Sequence, residues 1–554
     1  MELIYTYYNT VFDDCQGKFE NKRKEFRRNM KRKLLSVCIG LFAVALCGGA
    51  VACESMKPAD NGNNNPPAPQ GPSLEFERVD DGYAVVGIGT YEEGILVIPA
   101  EYDGEPVTTI GEKAFAAETE IGVLTVPDSV TTIQAGAFEN CSNLTTVTIG
   151  KNVSYIADSA FAYCHSMESV STFESVTFVG KKAFFGCMRL RSVAFSDALK
   201  TLSDSAFEVC DKLNTVTVGT GLETIGNRAF YGCKALKGLD IPDGAPTVIG
   251  NAAFQLCEAI EYVHLGNGVT QIGDSAFASC SLLRDVVLGD RVTSIGENAF
   301  SKCRKFYQLT LGESLVSIGT NAFDRCWLIR EIYNRSSLTI TLGSNDNGGV
   351  GLYAWYVRTG DEPTRIVKDE NNGLVYYIEG ERKSVIAIEL SKSADVVIPD
   401  DVTDIGDYAG YGVQFITSLV IGDNCKTIGK SAFRNSYMIR YVKLGEKVET
   451  IDELAFRYNG YIVELVINKN LKTVGKEAFL KEEGDSYYRA YKTIFFEGTQ
   501  AEWNAIRFAS GNDHLIGLDD NDEPLVNLAL YSESKPDEEG SYWHYVDGKP
   551  TLWN

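Results

Sequence analysis

The stretch Ile295-Gly296-Glu297-Asn298-Ala299-Phe300-Ser301-Lys302-Cys303-Arg304-Lys305-Phe306-Tyr307-Gln308-Leu309-Thr310-Leu311 decides the fold, because its landmarks return along the chain at a fixed interval. Alignment on the Ala-Phe step places Phe115, Phe138, Phe161, Phe184, Phe207, Phe230, Phe254, Phe277, Phe300 and Phe323 in register, followed by Phe433, Phe456 and Phe479. Counted from Phe138, one unit carries Cys141, Leu144, Val147, Ile149, Val153 and Ile156, then Ala160 just before the next Phe. Nine cysteines, Cys141, Cys164, Cys187, Cys210, Cys233, Cys257, Cys280, Cys303 and Cys326, recur every 23 residues with one step of 24. Such an interval denotes a repeat, and it displaces the several globular domains that 554 residues would otherwise suggest.

Within the unit, Val147 and Ile149 are two residues apart, so they point to one side while Thr146 and Thr148 point to the other, as in a strand. A second extended piece covers Val153 to Ile156, and Ala160 to Cys164 has the three-residue spacing of a helical or 3₁₀ turn. Gly150 supplies a corner and Asp158 is placed to cap the free amides of the turn. One such coil has too few apolar groups to offset its ordering entropy, so it must lie on its neighbours, with equivalent strands roughly 4.8 Å apart. The expected fold is a repeat solenoid, β-rich, with about 23 residues per coil and parallel stacked strands. The cysteines then form one column, read as buried small apolar residues. Nine is an odd number for disulfides, and Ser436 and Asn459 later fill the same place. Metal would need converging Cys-x-x-Cys pairs and histidines, which the chain lacks, so no metal and no cofactor is expected.

The pattern Ile-Gly-x-x-Ala-Phe-x-x-Cys-x-x-Leu-x-x-Val-x-Leu, of which Ile295 to Leu311 is the best copy, resembles the BspA-like class of leucine-rich repeats, leucine-rich repeat type 5. It spans about residues 97 to 480. At Ala409-Gly410 the Phe is missing, which suggests a looser rung. The resemblance implies a bacterial cell-surface protein for adhesion or recognition, with extracellular protein or glycan ligands such as host matrix proteins or other microbes.

From Met30, the suspected true start, Lys31, Arg32 and Lys33 precede an apolar run from Leu34 to Leu46 and then Gly48, Gly49 and Ala50, the order of a signal peptide. A bilayer-spanning helix needs roughly 20 residues, more than this run offers. The ending Ala50-Val51-Ala52-Cys53 resembles the lipobox of bacterial lipoproteins, which implies a lipid on Cys53 and membrane contact only through that lipid. A plain secretory signal with an incidental cysteine gives a secreted protein instead, and an uncleaved anchor is the third reading. Residues 53–73 hold five of the 15 prolines and read as a disordered tether. Such a tether reaches on the order of 25 Å.

The expected organisation is residues 1–52 as leader and signal peptide, 53–73 as tether, 74–335 as cap and first array, 336–393 as an interrupting segment, 394–480 as the second array, and 481–554 as C-terminal cap and aromatic tail. Tyr83-Ala84-Val85 and Tyr376-Tyr377-Ile378 read as strand-rich leaders that cover the open end of each stack. The tail cluster Tyr542-Trp543-His544-Tyr545 with Trp553 reads as a hydrophobic lid, with a sugar-stacking platform as the alternative.

Net charge is -23, and loss of the basic first 52 residues would leave -27, so a phosphate-gripping role is excluded and no nucleic-acid partner is expected. Four histidines, His165, His264, His514 and His544, fall in no catalytic or metal spacing. No Walker-type loop, Gly-x-Gly-x-x-Gly or Gly-x-Ser-x-Gly occurs, so no enzyme and no catalytic residue is expected. Asp519 to Glu523 lacks EF-hand spacing and reads as a solvated acidic loop.

What remains is surface. Eight and ten residues after each Phe, the outward positions begin as Thr146, Thr148, Ser169, Ser171, Thr215 and Thr217 and become Asp240, Tyr262, His264, Asp285, Gln308 and Tyr333. Thr is an ordinary strand former, whereas Tyr and His beside acids suit a contact surface. The candidate ligand-binding set is therefore Tyr262, His264, Tyr307, Gln308 and Tyr333, with mutual packing as the bland reading. A structural spacer and a polysaccharide-acting enzyme carried by the C-terminal segment are the rival functions. Oligomeric state is left open.

Overall fold

The computed structural model describes residues 74–553 except 92, 172, 391, 481–492, 517–525 and 538–539. The chain divides into two units, Met1–Gln70 and Gly71–Asn554, and only the second is described. Cys53, the signal sequence, the tether and the Asp519 to Glu523 loop therefore lie outside the described residues.

Strands of equivalent coils pair in parallel at the spacing of the repeat. Thr146, Val147 and Thr148 lie beside Val123, Leu124 and Thr125, and Tyr155 and Ile156 lie between Thr132-Ile133 and Phe178-Val179. The expected alternation holds: Val147 and Ile149 are buried while Thr146 and Thr148 are exposed. In the first array the short strands on one side belong to a single 13-stranded sheet and the outward strands fall into sheets of two to four, whereas the second array has one eight-stranded sheet on each side. Gly150 is needed at its corner because the coils approach closely there. A Cβ on it would sit 2.2 Å from the carbonyl oxygen of Pro127.

The core is a set of columns. Phenylalanine rings from Phe115 to Phe323 stack with centroids 4.9 to 5.5 Å apart and near-parallel planes, and Phe433, Phe456 and Phe479 repeat this in the second array. All of these rings are essentially inaccessible. A ring spacing close to the strand spacing lets backbone pairing and aromatic offset stacking be satisfied together.

The turn before each cysteine differs from a helical or 3₁₀ segment. Ala162 and Cys164 amides donate to residues three back, but the amides that alternate with them reach the next coil, Phe161 to Ala183 and Tyr163 to Phe185, each at 2.7 Å. Two residues on either side of Phe161 are left-handed, Ser159 at φ 57° and Tyr163 at φ 61°, and the same pair of positions repeats along both arrays. Alternating right- and left-handed residues aims every second peptide along the stack. The cost of about 1–2 kcal/mol per left-handed residue is set against a hydrogen bond to the neighbouring coil.

Asp158 likewise does not cap its own turn. Its Oδ1 accepts from the Lys181 amide of the following coil at 2.7 Å, and Asp204, Asn227, Asn251 and Asp274 continue that ladder. The cysteines are free thiols, buried, and hydrogen-bonded. Cys141 Sγ donates to Phe115 O at 3.0 Å and Cys164 Sγ to Phe138 O at 3.2 Å, a contact each later cysteine of the column copies. Ser436 donates to Gly410 O at 2.7 Å and Asn459 to Phe433 O at 2.7 Å. The column therefore selects a small donor rather than an apolar filler. Burial pushes the thiols of Cys187, Cys210, Cys257, Cys280 and Cys326 up.

The coil at Gly410 is not loose. Its amide bonds to Ala432 O, Gly412 to Arg434 O, and the Phe433 ring lies where a side chain on Gly410 would begin, 2.8 Å from a Cβ there.

The segment between the arrays has two jobs. Leu338, Ile340, Val350, Ala354 and Val357 close the core of the first array. Ile366–Asp369, Leu374–Glu379 and Arg382–Ile388 form an antiparallel meander from which the second array's eight-stranded sheet grows. Among the described residues neither ladder runs through into the other. Instead Val375, Tyr377, Ile386 and Ala387 of the meander pack with Leu328 and Tyr307 of the first array, and buried Arg330 donates to Asp407 O at 2.7 Å.

At the C-terminus Thr499 and Glu502 form a reciprocal cap on the helix Gln500–Ala505. Trp543 is fully buried against Val466, Phe495 and Ala529 and donates its indole N–H to Phe496 O at 3.1 Å. His544 and Trp553 stack on each other at 3.6 Å.

Candidate functional site

Three adjacent outward strands, Gly238–Ile241, Tyr262–Leu265 and Asp285–Val287, form one parallel sheet. Its register puts Gly238 beside Tyr262 and Asp285 in one row, with Asp240 beside His264 and Val287 in the next. The inward partners Leu239, Val263 and Val286 are buried, which fixes the outward set.

Gly238 matters because of what lies over it. A Cβ there would be 2.1 Å from the Tyr262 ring, so the phenol lies over bare backbone, and the residue is 36% exposed. The His264 ring is 5.0 Å away, centroid to centroid. Its Nδ1 lies 3.0 Å from Asp240 Oδ1 and its Nε2 lies 2.9 Å from Asp285 Oδ2. Partial burial disfavours the charged ring, but Asp285 and Asp240 outweigh it, and the pKa of His264 is raised above that of a free imidazole. With both nitrogens protonated the ring donates to both carboxylates and bridges two coils. The Tyr262 hydroxyl is pushed up by desolvation and by Asp240. An exposed aromatic face beside two carboxylates and an imidazole offers stacking and strong acceptors within one patch.

The other sequence-selected residues are placed elsewhere. Gln308 and Tyr333 belong to the next sheet, where Gln308 is exposed in register with Glu331 and Tyr333 lies beneath the Arg358 guanidinium at 3.9 Å. Arg358 in turn pairs with buried Glu331 at 3.4 Å. Tyr307 is half-buried in the cluster between the arrays, and burial and then Glu389 push its hydroxyl up. The structure thus places Tyr262 and His264 together on one sheet, Gln308 and Tyr333 on the sheet of the following coils, and Tyr307 near Asp285 in the cluster between the arrays.

Sequence reasoning passed over a second feature, a groove of about 910 Å³ between the arrays, lined by Arg284, Lys305, Lys368, Glu389 and the strand Ala394–Val397. A signal for it existed. Five residues after the Phe, where other coils place Asn143, Ser166, Arg189 and Lys212, this region has Leu282 and Leu328. Among the described residues, no group of three or more His, Cys, Asp or Glu is arranged to hold a metal ion.

A sequence model of the BspA type leucine-rich repeat region matches residues 108–237, 223–345 and 389–486, more than half of the chain. Solved structures similar to it include a leucine-rich repeat protein from Bacteroides ovatus, 19% identical over 79% of this chain and 97% of that one, with a TM-score of 0.36. A leucine-rich cell surface protein from Faecalibacterium prausnitzii is 20% identical over 81% of this chain and 99% of that one, with a TM-score of 0.27. The pneumococcal vaccine antigen PcpA is 15% identical over 83% of this chain and 92% of that one, with a TM-score of 0.29. No curated protein sequence matches. With its 23-residue coils, parallel ladders and Phe and Cys columns, the chain belongs to the BspA-type leucine-rich repeat family.

Proposed function

We propose that this protein is an exported, surface-displayed receptor that binds an extracellular glycan or protein without transforming it. The observation that carries this reading is the ring of Tyr262 backed by bare backbone, beside His264 clasped by Asp240 and Asp285, on a strand face whose early coils show mainly Thr and Ser. A ring held against backbone loses little freedom when a ligand covers it, and the carboxylates accept hydrogen bonds from sugar hydroxyls or basic side chains. The scaffold supplies the rigidity such a surface needs.

Display follows from the leader. The basic and apolar run from Lys31 to Leu46, the ending Ala52-Cys53 and the Pro/Asn-rich stretch after it support cleavage, a lipid on Cys53 and a spacer from the membrane. Among the described residues, no helix is long and apolar enough to cross a membrane.

Two experiments test this. Glycan and matrix-protein arrays probed with the full chain should give a ligand whose signal falls in Tyr262→Ser with His264→Ser, with a smaller fall in Tyr333→Ser. Unchanged array binding in the double variant rejects the face. Fatty-acid labelling of cells expressing the protein should mark it and should fail in Cys53→Ala, and a mature protein that begins elsewhere rejects the anchor.

A further inference from the structure

We propose that the groove between the arrays binds an extended, acidic peptide segment by adding it as a strand to the free edge of Ala394–Val397. This strand is the first of its eight-stranded sheet and, among the described residues, is paired on one side only. The Ala394 amide donates to Phe415 O at 2.9 Å and the Ile398 amide to Val420 O at 2.8 Å. In a parallel ladder both main-chain groups of a residue face the same neighbour, and successive residues alternate. Asp395 and Val397 therefore turn their N–H and C=O groups to the other side. Among the described residues neither makes a backbone hydrogen bond there, and all four strand residues line the groove. An open strand edge is a template for another chain, and proteins normally cover or blunt it.

Charge selects the occupant. Arg284, Lys305 and Lys368 surround one withdrawn carboxylate, Glu389, whose side chain is 13% exposed. Arg284 lies 3.8 Å from it and Lys368 lies 3.1 Å. Glu261 and Glu370, the outer partners of these two cations, are largely in solvent. Lys305 has no ion pair among the described residues, although burial holds the pKa of its ammonium down against the pull of Glu389, with Arg284 adding to the lowering. The groove's lining balances Arg284, Lys305, Lys368 and Lys392 against Glu261, Glu370, Glu389 and Asp395, and Lys305 and Lys392, which have no ion pair among the described residues, mark the place for an incoming carboxylate. Leu282, Val397 and Phe415 are exposed apolar side chains lining the same groove, and alternate side chains of an added strand would cover them. The volume is that of an ordinary ligand cleft.

The test uses the full chain and a fluorescein-labelled Val-Thr-Val-Thr-Glu-Glu peptide, followed by anisotropy. Saturable binding is expected, weakened about tenfold or more when alternate peptide amides are N-methylated, when the Glu pair is replaced by Lys, or in Lys305→Gln. Val397→Pro, which removes one edge amide from a strand edge that tolerates proline, should weaken binding to a similar degree. Should that variant fail to fold, the methylated peptide still decides the question. Tyr262→Ser should bind the peptide normally, which separates this site from the strand-face reading. Equal binding of the methylated and unmethylated peptides overturns strand addition, as does the absence of measurable peptide affinity up to about 1 mM.

Discussion

The strands Thr146–Thr148 and Tyr262–Leu265 lie five coils apart with the same inward residues and opposite outward ones. Val147 and Val263 are equally buried, and the phenylalanines below them, Phe138 and Phe254, belong to one stack. Outward, the first strand shows two threonines and the second shows Tyr262 and His264 with Asp240 and Asp285 on either side. The difference teaches that columns set the scaffold and leave the flank free to vary rung by rung, since a solenoid couples each coil only to its neighbours.

That separation can be broken most forcefully from inside. Phe207→Ala removes one ring from the middle of the stack and should cost about 3–5 kcal/mol in denaturant unfolding. Thr148→Ser and Tyr262→Ser should each change stability by less than about 0.5–1 kcal/mol. A Tyr262 variant as destabilised as Phe207→Ala would mean that the face is structural.

The donor column sharpens the comparison at smaller scale. Ser436→Ala should cost about 1–3 kcal/mol because the Gly410 carbonyl loses a buried partner. Cys210→Ala should likewise cost more than Cys210→Ser, by about 1 kcal/mol, when thermal or chemical unfolding of the two is compared. Equal losses would return the column to an apolar role.

In the turns, Val209 is β-branched and left-handed at φ 61°, where Asn140 and Gly186 stand in sister coils. Val209→Asn should stabilise by about 1 kcal/mol in the same measurement.

The smallest expected effect is electrostatic. Because Asp240 and Asp285 raise the pKa of His264 in the folded state, its contribution is complete below the unfolded value of about 6.5 and disappears as pH rises through the folded value. The difference in thermal midpoint between the native chain and His264→Gln should therefore be larger at pH 5 than at pH 8. The reverse trend would place the carboxylates away from the ring.

Much of this was legible in the residues. The Phe interval and the Val147/Ile149 alternation announce stacked strands without any coordinates, because burial on one side imposes a period of two. Partners one coil away were not legible. That Cys141 serves the Phe115 carbonyl and Asp158 the Lys181 amide depends on contacts across 26 and 23 residues, which composition alone does not show. The alternating left-handed turn was hidden for a related reason: three-residue spacing is common to a helical turn and to this ladder of turns. For the candidate site, Tyr262 and His264 were visible as departures from Thr and Ser, but the bare backbone under Tyr262 and the two-carboxylate clasp appear only when Gly238, Asp240 and Asp285 are laid beside them. The groove was legible only in part: Leu282 and Leu328 depart from the polar residues of sister coils, but Glu389 and Lys368 come from outside the repeat.

The central claim is that recognition resides on the late strand face. Calorimetric titration of the array-identified ligand into the native chain, into Tyr262→Ser with His264→Ser, and into Thr215→Ser with Thr217→Ser tests it most directly. The account predicts a loss of about tenfold or more in affinity for the first variant and native affinity for the second. Equal affinity in all three proteins would contradict it.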